Sequence, residues 1–149
     1  MNAFVAAGAG FLLAVLWFDL MFDVQAAGRA GGEVPEPALA SIAAYYARVT
    51  TAARPMNRLI AAVMIATLAA IGVQIANGSG PVWLGWVSLA LALAAIGLAG
   101  LRTVPSAVRL GTRRDPPAVQ SSLAQAVLSQ HVFCFVAIAC VIVLQLAAG

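Results

Sequence analysis

Six residues of this chain combine a reactive or strongly polar side chain with a place near its apolar runs: Asp19, Asp23, Arg58, Arg102, Gln130 and His131. Asp19 and Asp23 are one helical turn apart. On a helix their carboxylates share a face and repel each other unless a cation stands close by. His131 is the chain's one histidine, with Ser129 and Gln130 before it and Cys134 after it at helical spacing. An imidazole near carboxylates can relay a proton, ligate haem or a metal, or act as an acid–base group. A lone histidine with one thiol a turn away is a poor multi-ligand centre, so the residues assign no metal site and leave the cofactor unknown. The six are expected to form a polar binding pocket, with Arg58, Arg102 or both neutralising the acid pair. The residues assign no catalytic group. Cys134 and Cys140 are turned about 120° apart on a helix, which excludes a bridge between them.

Membrane helices are what must position these groups. The chain has 149 residues, 63% hydrophobic and only 9% charged, with a mean hydropathy of +0.99. A soluble domain carries roughly a quarter charged residues. Four apolar runs, 3–22, 56–75, 82–101 and 127–147, each approach the ~20 residues that cross ~30 Å of hydrocarbon. Helices satisfy their backbone groups internally, so they are the spanning form expected for continuous runs. The fold class expected is an all-α membrane protein: a four-transmembrane-helix bundle with a cytoplasmic amphipathic helix before helix two, and one domain over 1–149.

All eight basic residues are arginine. Arg29, Arg48, Arg54 and Arg58 lie between runs one and two or at the very start of run two; Arg102, Arg109, Arg113 and Arg114 lie between runs three and four. Cytoplasmic loops are enriched in Arg, so 23–55 and 102–126 are expected inside and both termini outside. The first run lacks a basic leader and is long enough to span, so it is expected to be retained. The composition reads as bacterial, and the location expected is the inner membrane. The net charge of +3 comes with no basic–aromatic stripe, which excludes nucleic acid as a partner. The partners expected are the lipid bilayer and either a second copy, as a homo-dimer, or a larger membrane complex.

Chain direction brings the ionisable groups together, because runs one and three end where two and four begin. An unpaired acid in a membrane costs roughly 2.5–3.5 kcal/mol on insertion scales. Gly8, Leu12, Val15, Asp19 and Asp23 share one face of the first run, which should look toward protein. His131, Cys134, Ile138 and Gln145 share a face of the fourth. In the second run a row at every fourth position, Arg54, Arg58, Ala62, Ala66, Ala70 and Gln74, offers close helix packing.

Between the runs, 26–37 is rich in glycine and proline. Leu39, Ile42, Tyr46, Val49 and Ala53 then recur at helical spacing. They predict an amphipathic helix over 38–53, lying on or projecting from the cytoplasmic surface, with Tyr45 and Tyr46 at the interface. Pro55 should break or kink the chain. The turn 77–81 precedes Trp83 and Trp86 as interfacial anchors. Asp115 and Pro116 read as an N-cap and first-turn proline, so the fourth helix should begin well before its apolar run.

Three functions fit. The favoured one is a small inner-membrane bundle acting as a non-catalytic binding or accessory subunit. The others are a proton- or ion-coupled transporter working as a dimer, and an enzyme on a lipid-soluble substrate with His131 as acid–base.

Overall fold

The computed structural model describes residues 2–28 and 32–147, apart from the Arg54 side chain. Arg29 of the first basic cluster and Gly31 of the glycine-rich stretch lie outside the described residues. The helices are α1 (Asn2–Asp23), α2 (Glu36–Tyr46), α3 (Arg54–Ala76), α4 (Val82–Leu98), α5 (Val104–Thr112) and α6 (Pro117–Ala147). No strand occurs among the described residues. Four stretches are long and apolar enough to cross a membrane: Asn2–Ala26, Pro55–Ala76, Val82–Thr112 and Pro117–Ala147.

α1 and α4 each pack on both α6 and α3. Their shared core is made of small and branched side chains: Val5, Ala9 and Leu12 from α1, Ile71 from α3, Ala92 and Ala95 from α4, and Cys134, Ala137, Ile138 and Val141 from α6. Small residues let the backbones come close. A methyl added at Gly8 would meet Thr67, and one at Gly85 would meet Ile75. The alanine row of α3 meets its neighbours over only part of its length. Ala62 and Ala66 are exposed, and only the end of the row, near Ala70 and Gln74, turns inward. Four residues on a helix advance about 40° beyond one turn, so a straight row cannot stay on one seam.

Two wide, π-type turns interrupt the helices, at Ala47–Ala52 and Ala99–Thr103. Each stands just ahead of a proline. Proline lacks an N–H and its ring crowds the carbonyl four residues back, here Thr51 for Pro55 and Leu101 for Pro105. At Pro55 the chain breaks as expected, with Ala53 outside the helical region, whereas at Pro105 opening the turn relieves the crowding without ending the rod. Thr50 reinforces the first turn by donating its hydroxyl to the Tyr46 carbonyl at 2.6 Å. As a result α4 continues through its wide turn into α5 over 31 residues, roughly 46 Å of helix. The segment 102–126, expected as a loop, therefore contains a helix.

α5 completes a second core at the arginine end. Ala26, Val34, Leu39, Ile42, Tyr46, Ala107, Leu110, Ala124 and Val127 are buried together there. The apolar face of α2, the helix expected to lie on or project from the cytoplasmic surface, is thus covered by α5 and α6. The helix is also shorter than 38–53, ending at Tyr46 where the wide turn begins. α5 passes over the end of α2 in backbone contact, since a methyl at Gly111 would sit 2.8 Å from the Ala47 nitrogen. Polar ties hold the edges: Val34 N donates to Ser121 Oγ at 3.0 Å, Gln125 Nε2 donates to the Gly32 carbonyl at 2.9 Å, and Arg113 pairs with Glu36.

α6 begins at Pro117, before its apolar run as expected, but Asp115 is engaged elsewhere. Its carboxylate takes Arg109 Nε at 2.8 Å and Nη2 at 2.7 Å. A fork contact of this kind uses both carboxylate oxygens. The guanidinium holds the Asp115 carboxyl below the usual carboxylate range.

At the opposite end the turn between α3 and α4 uses Gly78 and Gly80 at φ of 60° and 105°, where a side chain would be strained. A small amide network lies under it. Gln74 Nε2 donates to Asn2 Oδ1 at 3.0 Å and to Gln145 Oε1 at 3.1 Å, and Gln145 Nε2 donates to Ser88 Oγ at 3.0 Å. The inward face of the fourth run, predicted from Gln145, is observed: His131, Cys134, Ile138 and Gln145 are all buried.

Candidate functional site

Three elements meet around His131. The last turns of α1 carry Asp19 and Asp23, the last turn of α2 carries Tyr45 and Tyr46, and α6 carries the imidazole. His131 Nδ1 lies 2.6 Å from Asp23 Oδ2. Tyr46 donates its hydroxyl to the other oxygen of that carboxylate, Oδ1, at 2.6 Å. Tyr45 donates in the same way to Asp19 Oδ1 at 2.6 Å. The remaining oxygen of Asp19, Oδ2, faces His131 Nε2 at 3.8 Å, within ion-pair range but beyond a hydrogen bond.

Hydrogen placement follows from this network. A carboxylate only accepts, so Nδ1 carries a hydrogen and spends it on Asp23. The Tyr46 hydroxyl is also 3.4 Å from Nδ1, but its own hydrogen is directed at Asp23. Bonds this short to a charged acceptor are the stronger kind. Asp23 is 1% exposed, while the side chains of His131 and Asp19 are 8% and 16% exposed. Asp19 is therefore the more exposed of the two acids.

Burial and the adjacent carboxylates push both phenols well above the usual tyrosine range, burial being the larger cause for each. A phenolate would be desolvated and would face a like charge. Both tyrosines therefore remain donors. Phe22 stacks on Tyr45 with ring centres 4.1 Å apart, and Tyr45 meets Tyr46 edge-on at 5.2 Å. These ring contacts hold the two hydroxyls at the level of the two acids.

The structure brings together three of the six residues singled out above: Asp19, Asp23 and His131. The expected counter-ions are not the arginines. Arg58 and Arg102 are exposed, and neither forms an ion pair among the described residues. The acid-bearing face of α1 turns toward α2 and α6, whereas Arg58 lies near the start of α3 and Arg102 in the wide turn after α4. His131 takes the place assigned to them. Gln130 also stands apart from the cluster, since adjacent helix positions differ by about 100°. Its Oε1 is buried without a hydrogen-bond partner. Ser129 bonds within its own helix, to the Ala126 carbonyl at 2.8 Å.

Tyr45 and Tyr46 are the site residues that the sequence reading assigned to a membrane interface. The signal that could have found them is their place in the last turn of a helix whose apolar face needed a cover. Among the described residues no group of three or more His, Cys, Asp or Glu side chains is arranged to hold a metal ion. An apolar groove of about 350 Å³ runs along the outside of α1, lined by Gly10, Leu13, Ala14, Trp17, Phe18 and Phe135. None of the five cluster residues lines it. Compared with known proteins, the chain matches no family model, no curated protein and no solved structure.

Proposed function

We propose that this is a small multi-pass protein of a bacterial inner membrane that works without catalysis, as an accessory or binding subunit. In this reading the Arg-rich connections are cytoplasmic and both termini are outside. α2, α5 and the first turns of α6 form a folded cap on the inner surface. The polar cluster is the fastener that holds the cap to the spanning helices, and the cap is the surface offered to a partner.

The observation that carries the reading is that the cluster's polar atoms, His131 Nε2 and Asp19 Oδ2 apart, are spent on one another. Tyr45 serves Asp19, and Tyr46 and His131 serve Asp23. An enzyme's reacting atoms must be open to substrate; here the acid best placed to orient His131 is its most buried partner. A carrier needs a polar group near the middle of the bilayer. Between His131 and the Gln74–Gln145 network, the core instead holds Ala137, Ile138 and Val141 with their apolar neighbours, and its Cys134 thiol and Thr67 hydroxyl are each bonded to a helix carbonyl.

One observation favours a proton-coupled second reading. The 3.8 Å separation of His131 Nε2 from Asp19 Oδ2 leaves one proton site unbonded at the most exposed acid of the cluster.

Hydrogen exchange on the reconstituted protein tests the fastener. In Tyr45→Phe/Tyr46→Phe, amides of α2 and α5 should exchange at least tenfold faster while α1, α3 and the apolar part of α6 keep their protection. Unchanged protection of α2 and α5 overturns the reading. Proton flux into vesicles that Asp19→Asn abolishes would establish the second reading in its place.

A further inference from the structure

We propose that the arginine end of this chain binds anionic phospholipid headgroups, through Arg58 at the base of α3 and Arg102 in the wide turn after α4. The first support is charge balance. Of the chain's five acids, Asp19 and Asp23 are held within the polar cluster, Asp115 by Arg109 and Glu36 by Arg113. Glu33 alone remains. Against it stand Arg48, Arg58, Arg102 and Arg114, all exposed and without an ion pair among the described residues. This end therefore presents uncompensated positive charge.

The second support is where two of those arginines stand. Arg58 lies between the exposed side chains of Met56 and Leu59. Arg102 lies between Val104 and Leu101, the latter 83% exposed. A surface that interleaves bare guanidinium groups with bare large apolar side chains suits neither bulk water nor hydrocarbon. It suits the boundary, where apolar groups enter the acyl region and the guanidinium fork takes a phosphodiester with two hydrogen bonds. Arg114 differs. It sits in the polar turn between Thr112 and Asp115 with no such neighbours, and so belongs beyond that boundary. The opposite end, including the turn 77–81, carries no charged side chain among the described residues. The preference is thus confined to one leaflet.

Anionic lipid is the occupant because negative charge at headgroup depth answers both features at once. Zwitterionic lipid answers only the depth, and soluble phosphate only the charge. Each guanidinium at a membrane surface contributes roughly a fivefold preference for anionic over neutral lipid. The inference rests on the arginine end lying at a membrane surface and is independent of the role given to the His131 cluster.

Lipid competition tests it. The full chain is reconstituted in phosphatidylcholine discs containing phosphatidylglycerol, and the association of spin-labelled versions of the two lipids is compared. Several-fold enrichment of phosphatidylglycerol at the protein is expected. Arg58→Gln/Arg102→Gln should bring the two lipids to near-equal association, while Arg58→Lys/Arg102→Lys and Arg114→Gln keep most of the enrichment. Equal association with the native chain overturns the proposal. So does enrichment that survives the double glutamine change, or that inorganic phosphate displaces at constant ionic strength. Circular dichroism on each variant separates loss of the site from loss of fold, and the single glutamine changes, each expected to halve the logarithm of the enrichment, decide the matter if the double variant does not fold.

Discussion

Nδ1 of His131 lies 2.6 Å from Oδ2 of Asp23, a carboxylate only 1% exposed. The pair ties the middle of α6 to the last turn of α1, and Tyr46 closes it from α2. No arginine takes part. The group bonded to the more buried acid is thus an imidazole, whose hydrogen-bonding depends on tautomer and protonation, where a guanidinium would be a permanent charge.

Removing His131 should expose the dependence of Asp23 on it. Breaking a buried pair by deleting one partner leaves the other carrying an uncompensated charge, at a cost on the order of 3–5 kcal/mol. His131→Ala should lower stability by about that amount, measured by denaturant unfolding in detergent. Because the residues act as a unit, Asp23→Asn combined with His131→Ala should cost clearly less than the two single changes summed. Additive losses would show that the two side chains do not interact.

The phenols give the cluster a pH dependence of definite sign. Folding raises both above the ordinary tyrosine value, so the unfolded chain releases these protons at a lower pH than the folded one. Their contribution is complete below about pH 10, the ordinary value, and is lost as pH rises beyond it. The thermal midpoint of the native protein should therefore fall above that pH. In Tyr45→Phe/Tyr46→Phe the midpoint should start lower and fall less steeply. Parallel curves for the two proteins would contradict the hydrogen bonds to Asp19 and Asp23.

Gln120 offers the opposite outcome, a gain. It is 2% exposed and lies on the face of α6 turned to the second core, and neither of its amide atoms has a hydrogen-bond partner. A buried polar group without a partner costs about 1–3 kcal/mol. Gln120→Met keeps the volume and removes both amide atoms, so it should raise stability by about that amount in the same unfolding assay. A loss in place of the gain would show that the amide is satisfied in solution.

Much of this arrangement is legible in the residues. Long apolar runs reveal the four spanning-length helices because length and composition are local properties. Asp19 and Asp23 sharing a face with Leu12, and His131 sharing one with Cys134, Ile138 and Gln145, follow from helical periodicity alone. The partner of the acids does not follow. Choosing between His131 and the two arginines depends on how α1 is rotated about its axis, which the packing of Leu12 and Val5 against α6 decides.

The tyrosines were hidden for a related reason. Adjacent helix positions point about 100° apart, so periodicity would put one of Tyr45 and Tyr46 inside and the other out. Both nevertheless reach acids, because α1 presents its two carboxylates a turn apart. α5 lies in 102–126, expected as a loop because its residues are too polar to continue the third apolar run, and Pro105 stands at its start. The wide turn at Ala99–Thr103 carries the helix past it.

Between His131 and Gln145, fourteen positions along α6, the interior holds the Cys134 thiol, bonded to the Ala95 carbonyl at 3.4 Å, the Thr67 hydroxyl, bonded to the Val63 carbonyl at 2.8 Å, and hydrocarbon side chains around them. That makes the middle of the bundle an electrical insulator roughly 21 Å thick. A change of charge at one end has no wire to the other. Anything felt across it must arrive as the tilt or slide of a whole rod, and α6, 31 residues of α-helix without a wide turn and a neighbour of both α1 and α4, is the lever on which such a displacement would act.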